Sequence, residues 1–362
     1  MKLYKLLSFI ALFTSIYSFG NVLSCTGKKH EKTKTINRQY SVNDNASLFI
    51  SNKYGDLNIE TWNQNRIEIL VKITVKGNDL DKVQAKLDAI SVDFNGSKDL
   101  VEARTKIRKV NSSWSSWWKN NNTSFKISYF IKMPRTNNAD LNNKYGNISL
   151  DELEGKSNIT CDYGNIDIEK LSNTNNRINL SYCGASEINY VNTASISADY
   201  SLLKVNKADF LKLSADYSTL KLGTVNGVKY NLDYGSLTVQ QIANIAGGSD
   251  YAAVKVGSLT KTMTSNSDYG SIKVASIEKG FEKVSINSSY ASVKLGTPED
   301  NNFKFTIDLS YAGFRYPSSA VDMHKSVKKS TKKYYEGVFG NESSSTVTVR
   351  SSYGGVSLKI NN

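Results

Sequence analysis

The stretch 265–274, SNSDYGSIKV, returns as ISADYSLLKV at 196–205, LSADYSTLKL at 213–222 and INSSYASVKL at 286–295. Anchored on its tyrosine, the unit occurs at Tyr54, Tyr145, Tyr163, Tyr182, Tyr200, Tyr217, Tyr234, Tyr251, Tyr269, Tyr290, Tyr311 and Tyr353. From Tyr145 to Tyr311 successive tyrosines stand 17–21 residues apart. That period is shorter than the helical repeat families and matches one turn of a β-solenoid.

Each position around the tyrosine has a character. Four residues before it stand apolar residues such as Ile159, Ile178, Ile196, Leu213 and Ile286. The residue after it is small: Gly164, Cys183, Ser201, Ser218, Gly235, Ala252, Gly270 and Ala291. Positions three and five after it are apolar around a polar one, as in Leu203/Val205, Leu220/Leu222 and Val293/Leu295. Strand side chains alternate, so each apolar set shares one face. The two sets have opposite parity, and a bend at the small residue is expected to absorb the switch. Each unit therefore reads as strand, corner, strand, and the fold class as all-β: a parallel β-solenoid with 17–21-residue coils. The tyrosines Tyr163, Tyr200, Tyr217, Tyr234, Tyr251, Tyr269, Tyr290 and Tyr311 are expected to stack as a structural ladder, packed in core and corners. A sugar-stacking strip would require them exposed.

Two charged rows run with them. One residue before tyrosine stand Asp162, Asp199, Asp216, Asp233, Asp250 and Asp268, expected to bond corner N–H groups as Asx-type caps. One carboxylate per turn supplies too few oxygens for a calcium ladder, and no metal site is expected. Four residues after tyrosine stand Lys204, Lys221, Lys255, Lys273, Lys294 and Arg315. Alternation points this row outward, either as a solvated face or as a linear stripe for a polyanion.

The repeat lapses between Tyr54 and Tyr145. RIEILVKITVKG (66–77) and SFKISYFIKMP (124–134) alternate as strands, and DLDKVQAKLDAI (79–90) has apolar residues at helical spacing. We read 41–140 as a strand-rich cap with one short helix, containing a first repeat copy near 50–60, and 141–362 as the repeat domain. Trp114, Trp117 and Trp118 lie in SSWSSWWKNNN (112–122), an expected loop that either presents a binding patch or folds back on the cap. The lysine-rich stretch 324–335 suggests a basic loop near 318–340, and the final STVTVRSSYGGVSLKI a closing coil.

Residues 1–24 read as a signal peptide: Lys2 and Lys5 precede an apolar run from Leu6 to Phe19. The sequence NVLSC ends on Cys25, a candidate lipidation site, with ordinary signal cleavage as the alternative and 25–40 as a linker. No later stretch is long and apolar enough to span a bilayer as a helix, so a lipid would be the membrane tether. The chain of 362 residues carries +13, or +11 without Lys2 and Lys5, an excess that favours polyanions such as anionic glycans. Cys161 and Cys183 read as buried thiols, with a disulfide as the alternative.

Chemistry-bearing motifs are missing. The two histidines, His30 and His324, have no ligand-spaced neighbours, and no phosphate loop, nucleophile elbow or zinc spacing occurs. No catalytic residues and no cofactor are expected.

The segments SNKYGDLNIETW (51–62), FIKMPRTNNADLNNKYGNISL (130–150) and the units DYGNIDI, DYGSLTV and DYGSIKV resemble the bacterial adhesin-type β-helix families of the DUF4097/DUF2807 kind. The resemblance covers roughly 40–362. It implies a single-stranded, right-handed parallel β-helix on an exported or surface protein, and it carries over no catalytic residue. Those families often place Ser or Asn where this chain has tyrosine. The expected function is therefore a non-enzymatic cell-envelope β-solenoid, an adhesin or surface-binding protein for anionic glycans. The alternatives are a polysaccharide-degrading enzyme on the same fold and a purely structural envelope protein.

Overall fold

The computed structural model describes residues 29–108 and 123–361. Cys25, Trp114, Trp117 and Trp118 lie outside the described residues. Within them the chain is nearly all-β: 23 strands join one sheet, beside one short helix, Leu80–Asp88.

Over the repeats, strands pair in parallel with their counterparts one unit on. Ser157–Asp162 lies between Asn138–Lys144 and Asn176–Ser181, with Ile159 opposite both Leu141 and Ile178. Ile166–Leu171 lies between Ile148–Leu153 and Ser186–Asp199. Ser186–Asp199 then pairs with the long extended run Leu202–Asp268, setting Ile188 opposite Val205 and Asp199 opposite Asp216. Equivalent positions are thereby stacked at strand spacing, about 4.8 Å. The apolar sets on both sides of the tyrosine face one continuous interior, where Ile196, Leu203, Val205, Leu213, Leu220 and Leu222 are buried.

The corner differs from the sequence reading. All twelve tyrosines adopt φ between +48° and +64°, and among the described residues no other non-glycine has positive φ. The left-handed tyrosine, rather than the small residue, makes the turn and absorbs the parity switch, and this sends its ring outward. The small residue after it shares parity with the apolar positions three and five and lies inside. At Gly164 an added Cβ would sit 2.0 Å from the Gly146 carbonyl oxygen of the preceding unit. The tyrosine N–H groups bond across units, Tyr145 to the Asp162 carbonyl at 2.8 Å and Tyr182 to that of Asp199 at 2.9 Å.

The first unit, Ser47–Lys53 and Leu57–Trp62, pairs directly with Asn138–Lys144 and Ile148–Leu153, so residues 66–134 are inserted between two neighbouring units. Leu100–Ile107 and Ser124–Pro134 from the insertion pair in parallel with the outer edge of that first unit and cover it. The helix packs Val83 and Leu87 inward, and Asp79 caps it by accepting the Lys82 N–H at 3.1 Å. The stretch read as a linker is a strand from His30 on: His30–Ser41 pairs antiparallel with Arg66–Gly77. As an outer strand it sends only Ile36 and Tyr40 against the core, which is why its polar sequence hid it.

The C-terminal end also departs from expectation. The basic stretch is a hairpin, Val321–Lys328 with Lys332–Phe339, whose inner strand pairs with Phe303–Ser310. Its outer strand carries Lys325 and Lys328 on the free edge, where charge discourages further pairing. The final segment does not close the stack. Thr346–Ser352 lies between Lys283–Ser289 and Phe303–Ser310, in parallel with both.

Candidate functional site: an aromatic ladder between charged rows

The outward tyrosines form one continuous file. Ring centroids are 4.7–5.1 Å apart at every step from Tyr54 to Tyr290, then through Tyr353 to Tyr311, with planes within 22° of parallel. Tyr163, Tyr200, Tyr217, Tyr234, Tyr251, Tyr269, Tyr290 and Tyr311 belong to it, together with Tyr54, Tyr145, Tyr182 and Tyr353. The expectation of core packing is corrected: from Tyr145 onward these rings are 44–60% exposed. Twelve rungs at strand spacing make a file about 50 Å long. Phe125 meets the Tyr54 ring edge-on at 5.1 Å and closes that end.

Stacking determines what the file offers. Each interior ring has both faces covered by its neighbours, so the solvent side presents ring edges and phenol hydroxyls. A sugar cannot lie flat on an interior rung. The hydroxyls form a row of donors and acceptors repeating at the pitch of the strands.

Left-handed backbone is costly for a bulky residue, about 1–2 kcal/mol each, and Gly or Asn would adopt it more easily. One stacking contact per rung returns about 0.5–1.5 kcal/mol. The two nearly offset, so tyrosine at this corner is tolerated chiefly because its neighbours are also tyrosine.

The aspartates before the tyrosines do not cap the corner. Among the described residues the carboxylates of Asp199, Asp216, Asp233, Asp250 and Asp268 make no hydrogen bond or ion pair, and they form a solvated acidic row. The small inward residues supply the corner bonds instead. The Ser201 hydroxyl donates to the Asp199 carbonyl at 2.8 Å and accepts the Cys183 N–H at 3.0 Å. Ser218 Oγ accepts the Ser201 N–H at 2.9 Å and donates to the Ala198 carbonyl at 2.8 Å. Backbone groups on neighbouring units are bridged from inside, which leaves the carboxylates in water.

On the other side of the ladder, Lys204, Lys221, Lys255, Lys273, Lys294 and Arg315 are all exposed. Lys255 stands opposite Lys273, and Lys273 opposite Lys294, in direct register. Among the described residues Lys221, Lys255, Lys273, Lys294 and Arg315 have no acidic partner. Lys204 is neutralised by Glu187, 2.9 Å away, and that lysine's hydrogen bond, helped by Asn206, holds the Glu187 carboxyl below its usual range.

Cys161 and Cys183 are free and buried, and the Cys183 thiol donates to the Cys161 carbonyl at 3.2 Å. Among the described residues no group of three or more His, Cys, Asp or Glu is placed to hold a metal ion, and no helix is long and apolar enough to cross a membrane. Parity in the sequence confines the switch to the corner but leaves open which way the ring points. Positions one, three and five after the tyrosine form one apolar-or-small inward set, which places the switch between the second residue before the tyrosine and the one after it; the positive φ locates it at the tyrosine.

No family model and no curated protein matches the chain. Among solved structures it is similar to a "putative adhesin" from Parabacteroides distasonis, at 12% identity over 73% of this chain and 93% of that one, with a TM-score of 0.32. It is similar to a "putative adhesin" from Bacteroides fragilis, at 11% identity over 91% and 97%, with a TM-score of 0.30. A "putative lipid binding protein" from Parabacteroides distasonis matches at 10% identity over 92% and 98%, with a TM-score of 0.31. These likenesses are too distant to support an argument about this chain.

Proposed function

We propose that the chain winds as a single-stranded, right-handed parallel β-helix and acts without catalysis, as an exported surface-binding protein of the cell envelope that holds an extended anionic glycan. Parallel pairing between successive 17–21-residue units supports the winding. The observation that carries the binding reading is the lysine row Lys255–Lys273–Lys294, in register and without acidic partners among the described residues. Three like charges at strand spacing repel one another unless a counter-charge lies along them. A linear polyanion supplies one, and the neighbouring phenol hydroxyls supply hydrogen bonds at the same pitch. The acidic row on the far side of the ladder repels the same polymer and confines it to the lysine flank.

The test is binding of the full chain to sulfated and uronic-acid polysaccharides across a salt series. The triple variant Lys255→Gln/Lys273→Gln/Lys294→Gln is expected to bind roughly tenfold more weakly and with a flatter salt dependence, since each lost contact is worth about 0.5 kcal/mol. Unchanged affinity and salt slope in that variant would overturn the reading. Attachment through Cys25 is part of the same proposal; fatty-acid labelling that persists in Cys25→Ala would remove it.

A further inference from the structure

The order of units in space is not their order in the chain. Tyr290 stacks on Tyr353 at 4.7 Å, and Tyr353 on Tyr311 at 4.8 Å. The strands agree: Val356–Ile360 pairs in parallel with Ser292–Thr297 on one side and Phe314–Arg315 on the other. The unit 346–360 is thus inserted between two units that precede it in sequence. Those two are joined covalently by residues 298–302, which pass over the insertion. Without the inserted unit its neighbours would stand about 9.6 Å apart, room for one strand, each showing an unpaired parallel edge.

The inserted unit is held by pairing and packing. Val347, Val349, Val356 and Leu358 are buried, and Ser288 Oγ donates to Ser351 Oγ at 2.9 Å across the seam. It connects to the body through 340–345, where Gly340 takes φ +66° and the Asn341 N–H bonds Asn302 Oδ1 at 2.7 Å. Among the described residues no strand follows it in the chain.

From this arrangement we propose that the gap between units 283–297 and 303–315 is a strand-exchange site, and that its partner is the segment 346–360 of a second copy of this chain. Every contact made within one chain can then be made between two. Reciprocal exchange closes a dimer, and one-way exchange extends a chain of copies. The choice between self and partner rests on effective concentration, about millimolar for a short connection. Single chains therefore dominate at micromolar concentration, and exchange grows in proportion to concentration. This inference rests on strand pairing alone and does not depend on what the ladder binds.

The test uses full chains in which Cys25, Cys161 and Cys183 are replaced by Ala. One carries Ser288→Cys and the other Ser351→Cys, facing positions in register. Unfolded together and refolded at about 0.1 mM, they are expected to give an interchain disulfide in on the order of a tenth of the chains, falling in proportion on dilution. Mixing the two after separate folding is expected to give far less. The double variant Ser288→Cys/Ser351→Cys in one chain must form the intrachain bond; failure would refute the insertion itself. Thr306→Cys with Thr348→Cys repeats the test across the other seam. Absence of concentration-dependent interchain bonds at both seams, with the intrachain bonds present, would overturn the exchange.

Discussion

Replacing Tyr217 separates the two energies that meet at each corner. Its ring lies 4.9 Å from that of Tyr200 and 4.8 Å from that of Tyr234, and its backbone sits at φ +48°. Any truncation loses both stacking contacts, about 1–3 kcal/mol together, and about 1 kcal/mol more from the half-buried ring. Tyr217→Ala keeps the left-handed strain, so it should cost about 2–4 kcal/mol. Tyr217→Gly relieves about 1–2 kcal/mol of strain and gives back about 0.5–1 to the unfolded chain's greater freedom. Glycine should therefore be more stable than alanine at 217 by about 0.5–1 kcal/mol. At Thr219, a half-buried strand position, the order should be the usual one, with alanine ahead by a similar margin. Urea midpoints at constant slope measure the difference. Because a repeat array need not unfold as one unit, hydrogen exchange at the 213–222 amides should accompany them. Alanine equal to or better than glycine at 217 would refute the account of the corner.

Acid should loosen the junction of cap and first units. The Asp56 carboxylate pairs with Lys126 at 2.6 Å and accepts the Asn147 N–H at 2.9 Å. Burial pushes its pKa up, but Lys126 and the Asn147 amide outweigh this and hold it below the usual carboxylate range. Its folded pKa is depressed, so its stabilisation is present above about pH 4 and is lost as pH falls through the folded value. Asp56→Asn should be less stable than the wild type by about 1 kcal/mol at pH 7, with the gap closing in acid; a gap independent of pH would contradict the assignment. The two buried thiols should resist aromatic disulfide reagents in the folded Cys25→Ala chain at pH 8 and titrate as two in guanidinium. Both thiols are buried, so rapid labelling of the folded chain would contradict their placement.

Much of the fold was legible because the parallel pairing of successive units is local and periodic. Ile159, Ile178 and Ile196 recur at one position and end up stacked on one another, since each unit meets the same environment. The helix at 80–88 was legible from its apolar spacing. The direction of the tyrosines was not, because Tyr217 is a residue that composition sends inward and only its backbone angle sends outward. His30–Ser41 and the hairpin 321–339 were missed for a common reason. Both end in edge strands with one wet face and little apolar content, so the alternating pattern that marks a strand is diluted.

The sequence by itself determined the period, the stacking of like on like, and which residues would form rows. Those follow from repetition, which places every copy in an equivalent position. Tertiary structure alone decided two further matters. The corner conformation at twelve tyrosines set the file outside the core, because one left-handed residue reverses the alternation of every side chain after it. The pairing at the end of the stack placed Thr346–Ile360 between two earlier units. A strand's own pattern states that it will pair in register, and it is silent on which of several near-identical edges it will choose.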